Sequence, residues 1–265
     1  MRLYYAVILF PLMLIGACAP MPIPTRQAAT PTKVIVPTAQ VVLPIAPQPI
    51  AESTKAPIAL STPTRAASAQ AVWTGDLHIH TICSDGANTY DEVAQQALKL
   101  HLDFIAITDH VGISERQCHN ESIIKCEAET RFLCLPGAEM TARLHLLAIG
   151  IHQRIDPSLP LSGWIQEIHR QGGLAIAAHP YDSRWEYTEN ELYHSNLDAM
   201  ECARGTAEQN ELQYQLAEQF QLPCVYNSDA HYQKDVGWRH NVCSVPIESI
   251  ADLKAAFVAG KCRMN

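Results

Sequence analysis

From Trp73 onward the chain alternates short apolar runs with stretches whose apolar residues recur every three or four positions. The first kind of run predicts strands and the second amphipathic helices. Strands are predicted over residues 76–80, 104–108, 132–135, 144–149, 174–178, 197–201 and 224–227, and helices over 91–100, 164–171, 208–219 and 250–259. Thr89 or Asn88 caps the first helix, whose apolar face is Val93, Ala94, Ala97 and Leu98, and Gly172-Gly173 ends the second. Strands alternating with helices build a parallel sheet. Seven of them without a glycine-rich nucleotide fingerprint favour a small α/β barrel over a doubly wound sheet. The fourth strand follows the third too closely for an intervening helix, so the barrel is expected to be irregular. Residues 112–131 are polar and read as a loop carrying a short helix.

Before Trp73 this periodicity is missing. Residues 1–18 run from a charged start through an apolar middle to small residues, the pattern of a secretory signal, and the apolar run is short for a membrane span. Ile15-Gly16-Ala17-Cys18 resembles the bacterial lipobox, in which Cys18 receives lipid and becomes the mature N-terminus. That implies an exported protein anchored to a membrane and facing away from the cytoplasm. Ordinary cleavage nearby, with loss of Cys18, is the alternative. Residues 19–72 are rich in Pro, Thr, Ala and Val, with Pro20, Pro22, Pro24, Pro44, Pro47 and Pro49 among them. Such composition builds no core and reads as a disordered, extended tether between the lipid and a domain over residues 73–265.

Charge narrows the partners. Residues 73–265 hold 14 of the Lys and Arg residues and 26 of the Asp and Glu residues, a net charge near −12. This disfavours a stable nucleic-acid partner, and nothing in the sequence implies a protein partner. Beyond Cys18 there are eight cysteines, an even number compatible with disulfides in an exported protein. Cys118 with Cys126 and Cys243 with Cys262 are the expected pairs. No cysteine spacing matches a zinc ribbon.

Chemistry gathers at the strand ends. The runs Asp76-Leu-His78-Ile-His80, Thr108-Asp109-His110, Gly137-Ala-Glu139, Ala178-His179-Pro180 and Ser228-Asp229-Ala230-His231 each place imidazole or carboxylate after an apolar stretch. Those groups are selected by divalent metals. On the strands of one barrel they would converge at a single mouth. Each has a plainer structural reading: an exposed histidine pair, a helix cap, a satisfied core polar group or a shaped turn.

Taken with Ser84-Asp85-Gly86 and His145, these segments resemble the PHP (polymerase and histidinol phosphatase) family, in order, over residues 76–231. The resemblance implies a distorted (β/α)7 TIM-like barrel with two or three divalent ions (zinc, manganese or iron) at the C-terminal mouth of the strands. It assigns one ion to His78, His80, Glu139 and Asp229, and a second to a bridging Glu139 with His145 and His179. A third takes Asp85, His110 and His231. Glu139, Asp229 and His179 form the implied catalytic group, and Asp109 a supporting partner. The activity implied is hydrolysis of a small phosphorylated substrate by a metal-activated water, as two-metal sites perform it. A phosphodiesterase or exonuclease, or a surface protein that binds metal or phospho-ligand without turnover, are the alternatives. Arg204 and Arg239, in loops after strand ends, are the candidate phosphate clamps, ahead of Arg143 and Arg184. Glu201 is expected to touch the substrate site, and Tyr181, Trp185 and Tyr187 to stack on substrate or pack their loop.

Overall fold

The computed structural model describes residues 72–113, 119–181 and 187–265. The expected signal, Cys18 and tether, and also Cys118, Arg184 and Trp185, lie outside the described residues.

The order of elements is β1 (Trp73–Asp76), α1 (Tyr90–Lys99), β2 (Phe104–Ile107), β3 (His110–Val111), α2 (His119–Glu127), β4 (Leu133–Thr141), β5 (His145–Ile149), α3 (Leu161–Arg170) and β6 (Leu174–Ala177). There follow α4 (Glu189–His194), β7 (Ala199–Glu201), α5 (Ala207–Phe220), β8 (Cys224–Val225), β9 (Asn241–Cys243), α6 (Ile250–Val258) and β10 (Cys262–Met264). The strands lie in the order β10-β9-β1-β2-β4-β5-β6-β7-β8, with β3 continuing the β2 line against β4. The seam between the two ends of the barrel closes through a parallel bridge, Ile79 to Ala230, with His80 N–H donating to the Ala230 carbonyl at 2.9 Å. Seven strands, β1, β2 and β4 to β8, thus form a nearly closed α/β barrel, as expected, and β9 and β10 extend it beyond β1.

Strand alternation sorts the side chains. In β2, Phe104 and Ala106 belong to a core shared with Leu135, Leu147 and Ile176, while Ile105 and Ile107 pack with Val93, Ala94 and Ala97 of α1. Helix α1 is set by a capping box between Thr89 and Glu92. Helix α3 brings Trp164, Ile165 and Ile168 against Met140, Leu146 and Ala148.

Three expectations change. The first strand ends at Asp76 because residues 73–75 pair with β9, and residues 77–80 run on with only the Ile79 bridge. The predicted short third strand is the first part of a nine-residue β4. Finally, β5 runs antiparallel to both β4 and β6. A direct hairpin leaves no room for the crossover a parallel neighbour needs. Among disulfides, Cys243–Cys262 forms as expected, joining β9 to β10. The expected Cys118–Cys126 pair does not, because Cys126 on α2 bonds Cys134 on the adjoining β4, their Cα atoms 5.1 Å apart. Cys202–Cys224, not anticipated, ties the end of β7 to β8.

One buried carboxylate organises the seam. Asp76 accepts from Ser228 Oγ at 2.5 Å, Ser228 N–H at 3.0 Å and Gly237 N–H at 2.9 Å, binding β1 to the loop that carries Asp229. Burial pushes its carboxyl up to about 6 although these hydrogen bonds pull the other way. Asp76→Ala leaves the Ser228 and Gly237 N–H groups buried without acceptors, and urea denaturation should show a stability loss of about 2–4 kcal/mol. Because the folded value is raised, the proton on Asp76 contributes stability that is present at low pH and is lost as pH rises through about 6. Asp76→Asn should remove that decline from the stability–pH curve, and an unchanged slope would contradict it.

Candidate metal centre

The strand directions explain how the sequence-distant residues meet. His78 and His80 follow β1, His110 opens β3, Glu139 lies near the end of β4, His179 follows β6 and Glu201 ends β7. Asp229 and His231 follow β8. These are the C-terminal ends of parallel strands. His145 is the first residue of β5, and because β5 is antiparallel its start lies at the same mouth, opposite Thr141 of β4. The hairpin that breaks barrel regularity is therefore what delivers His145.

Glu139 sits at the centre, 1 % exposed. Its Oε1 is 2.8 Å from His145 Nδ1 and 3.1 Å from His179 Nε2. Its Oε2 lies 3.4 Å from His78 Nε2, 3.4 Å from His80 Nε2 and 3.0 Å from His110 Nδ1. Asp229 Oδ1 is 3.2 Å from both His78 Nε2 and His80 Nε2, and those two nitrogens are 3.0 Å apart. On the outer side Asp85 faces His110 Nε2 at 3.4 Å and His231 Nε2 at 3.3 Å. All nine expected ligands come together.

Their environment tests the fit to cations. His78 Nδ1 is 2.9 Å from Glu201 Oε1, and His231 Nδ1 is 2.9 Å from the Asp229 carbonyl. A carboxylate and a carbonyl only accept, so each Nδ1 carries a proton and each Nε2 is the nitrogen turned inward, where a bound cation would take the place of any proton on it. Glu139 Oε2 and His179 Nδ1 are buried without a hydrogen bond. Inward-facing Nε2 atoms, an orphaned carboxylate oxygen and imidazole nitrogens in mutual contact fit divalent ions. Four sets have ligand atoms within 4.8 Å of one another: His80, Asp85, His110 and His231; His78, His80 and Glu139; His78, His179 and Asp229; and His110, Glu139 and His145. His145 and His179 both reach Glu139 Oε1, as in the expected second set, while His179 also lies with His78 and Asp229, and His110 with Glu139 and His145.

Electrostatics follow from the crowding of acids. Burial opposes a charge on His78, but Asp229, Glu201 and Glu139 outweigh it and hold the imidazole well above its usual range. Burial likewise works against charge on Glu139, and His78 with the His110, His145 and His179 contacts holds it well below the usual carboxylate range. Three of the non-glycine residues in the left-handed region lie at the same mouth, His179, Ala203 and Asp229, with φ of 28°, 60° and 55°. The His179 conformation is pinned by its N–H donating to Glu201 Oε2 at 2.8 Å. Gly86 is required beside Asp85, because a Cβ there would meet the His80 carbonyl at 2.5 Å.

Asp109 was expected to support the ligands, whereas Thr141 and Asn227 escaped the sequence. Asp109 accepts from Thr81 N–H, Thr81 Oγ1 and Ser84 Oγ, each at 2.7 Å, and so holds the loop leading to Asp85. Thr141 Oγ1 is 2.7 Å from His110 Nδ1. Asn227 Nδ2 donates to Glu201 Oε1 at 2.9 Å. The only signal for Thr141 and Asn227 was proximity in sequence to a ligand. Tyr187 is buried and donates to the His145 carbonyl at 2.5 Å, so it packs its loop rather than offering a face to substrate. Glu201 is used mainly by the protein, through His78, His179 and Asn227. Arg204 reaches Asp229 Oδ2 at 2.7 Å. Arg239 stacks on Trp238 at 4.4 Å and is half-buried, and Arg143 is paired with Glu191 on the surface.

Removing the shared carboxylate should collapse the metal set. Glu139→Gln is expected to lower bound metal, measured by plasma mass spectrometry, by at least one ion per chain. His78→Ala with His80→Ala should lower it further. Unchanged metal content in the double variant would overturn the assignment.

The PHP domain model matches residues 76–219, and the model for the PHP-associated region matches residues 207–262. An uncharacterized protein of Methanocaldococcus jannaschii is 29% identical over 138 residues, 48% of this chain and 78% of the relative. A two-domain protein from Bacteroides vulgatus containing a predicted PHP-like metal-dependent phosphoesterase superposes with TM-score 0.58 at 19% identity, covering 74% of this chain and 65% of that one. PsfC of Pseudomonas syringae gives 0.59 at 16%, covering 73% and 91%. The lesion-specific endonuclease PfuEndoQ of Pyrococcus furiosus gives 0.54 at 16%, covering 73% and 58%. These structures share the fold, and with the family model spanning more than half of its length the chain belongs to the PHP domain family.

Proposed function

We propose that this chain is a metal-dependent phosphoesterase that hydrolyses small phosphate monoesters outside the cytoplasm, held to a membrane by lipid on Cys18. The observation that carries the reading is Glu139, a buried carboxylate ringed by five imidazoles at the open end of a barrel. Two or three divalent cations held by those residues would supply Lewis acidity toward phosphoryl oxygens and a water nucleophile near neutral pH.

The chain's own groups do the rest. Glu139 and Asp229 offer the anionic oxygens that hold cations close together. Glu201 fixes the His78 tautomer, and Asp109 and Gly86 hold Asp85 over the outer histidines. Arg204 pairs with Asp229 at 2.7 Å and holds that carboxylate beside the imidazoles. The negative charge of residues 73–265 supports a small substrate over a polynucleotide.

Purified full-length protein should hydrolyse phenyl phosphate. Chelation should lower the rate at least 100-fold, and manganese, zinc or iron should restore it. Full activity after complete metal removal would defeat the proposal, and faster turnover of bis(p-nitrophenyl) phosphate than of the monoester would favour the diesterase alternative. Fractionation of the producing bacterium should find the protein in the membrane pellet, and Cys18→Ser should release it to the soluble fraction. A wild-type protein that is already soluble would remove the anchor.

A further inference from the structure

Beside the metal-binding mouth a cavity of about 270 Å³ opens between the ends of β6 and β7 and the start of α5. It shares His179 and Glu201 with the metal centre, so a molecule in it reaches the reacting region. Its remaining wall includes Tyr181, Arg204, Gln209 and Gln213. Pockets for drug-sized ligands run about 300–1,000 Å³, which puts the occupant of this one among smaller molecules than nucleotides.

The polar groups of the wall are mostly donors. The Tyr181 hydroxyl and Arg204 Nη1 are buried without a hydrogen-bond partner. Burial, with Glu189 adding to it, pushes the phenol up to about 12, so the hydroxyl keeps its proton. Gln209 Oε1 accepts from Thr206 N–H at 2.8 Å, and Gln213 Oε1 accepts from Arg204 N–H at 3.3 Å. What both glutamines offer a ligand is therefore the amide N–H. Unpartnered buried donors are costly, and a ligand carrying acceptors relieves that cost.

The charge of the ligand group follows from Arg204. Its guanidinium is already paired with Asp229 Oδ2 at 2.7 Å and lies 3.7 Å from Glu201 Oε2. A carboxylate or second phosphate entering the cavity would meet those two acids with no cation left to balance it. An aryl group would leave the amide and guanidinium donors without acceptors. Neutral hydroxyl oxygens suit all four donors.

We infer that this cavity takes the alcohol part of the substrate, and that the preferred ester is a sugar or polyol phosphate. The inference rests on the phosphoesterase reading for its chemistry, while ligand recognition is measurable by itself. Tyr181 and the two glutamines are then specificity residues, and the phosphoryl group lies on the His179 side.

Full-length wild type and Tyr181→Phe are compared with ribose 5-phosphate and phenyl phosphate, by calorimetric titration and by steady-state kinetics with manganese. Wild type should bind ribose 5-phosphate about tenfold or more tighter than phenyl phosphate, since sites built to hydrogen-bond hydroxyls discriminate strongly. Loss of one neutral hydrogen bond in Tyr181→Phe should shrink that ratio about three- to tenfold, through KM rather than kcat. Equal affinity for the two esters in wild type overturns the inference. So does an unmoved ratio in a variant that melts at the wild-type temperature, and the wild-type comparison decides alone if the variant fails to fold. Binding with the expected preference but no turnover of either ester keeps the pocket and sinks the phosphoesterase reading; turnover of both without preference does the reverse.

Discussion

Glu139 places a carboxylate almost out of solvent among the rings of His78, His80, His110, His145 and His179, with Asp229 and Glu201 close behind. Buried anions need a partner. Arg204 answers Asp229 and lies near Glu201, but the middle of the cluster holds more acid than the chain's permanent cations balance. The raised His78 and the depressed Glu139 are two expressions of that imbalance. A pocket of this kind favours bound positive charge, and its imidazole lone pairs set the direction from which that charge is met.

The rest of the barrel can be understood as holding this cluster in place. Asp76 ties the β1 end to the loop after β8, and the Cys202–Cys224 disulfide ties the end of β7 to β8. The β5 reversal turns what would be a missing barrel unit into the supplier of His145. Strained residues at 179, 203 and 229 sit where surrounding hydrogen bonds hold them, as with His179 against Glu201. His179 and Glu201 also line the neighbouring cavity, so the metal-binding mouth and that cavity share a frame.

Much of the candidate site was legible before any coordinates. Each ligand lies beside an apolar run, so the location of His78, His80, Asp109, Glu139, His179 and Asp229 at strand ends followed from local pattern. Seven strands and an irregularity between the third and fourth were also local matters, one of periodicity and one of loop length. The disulfides were only half legible: Cys243 and Cys262 face each other across a short antiparallel pair, whereas Cys126 chose Cys134 because α2 packs on β4.

By itself the sequence determined which chemical groups are present and the order in which strands deliver them, because side-chain type and hydrophobic period are properties of short segments. Only the tertiary structure decided that His179 lies within reach of Glu139, His78 and Asp229 alike, that Asn227 and Glu201 orient His78, and that Tyr181 and Arg204 leave unpartnered donors at one cavity. Those outcomes join residues more than 20 and up to about 150 positions apart. They depend on strand direction, burial and the satisfaction of every polar group at once, which no local window contains.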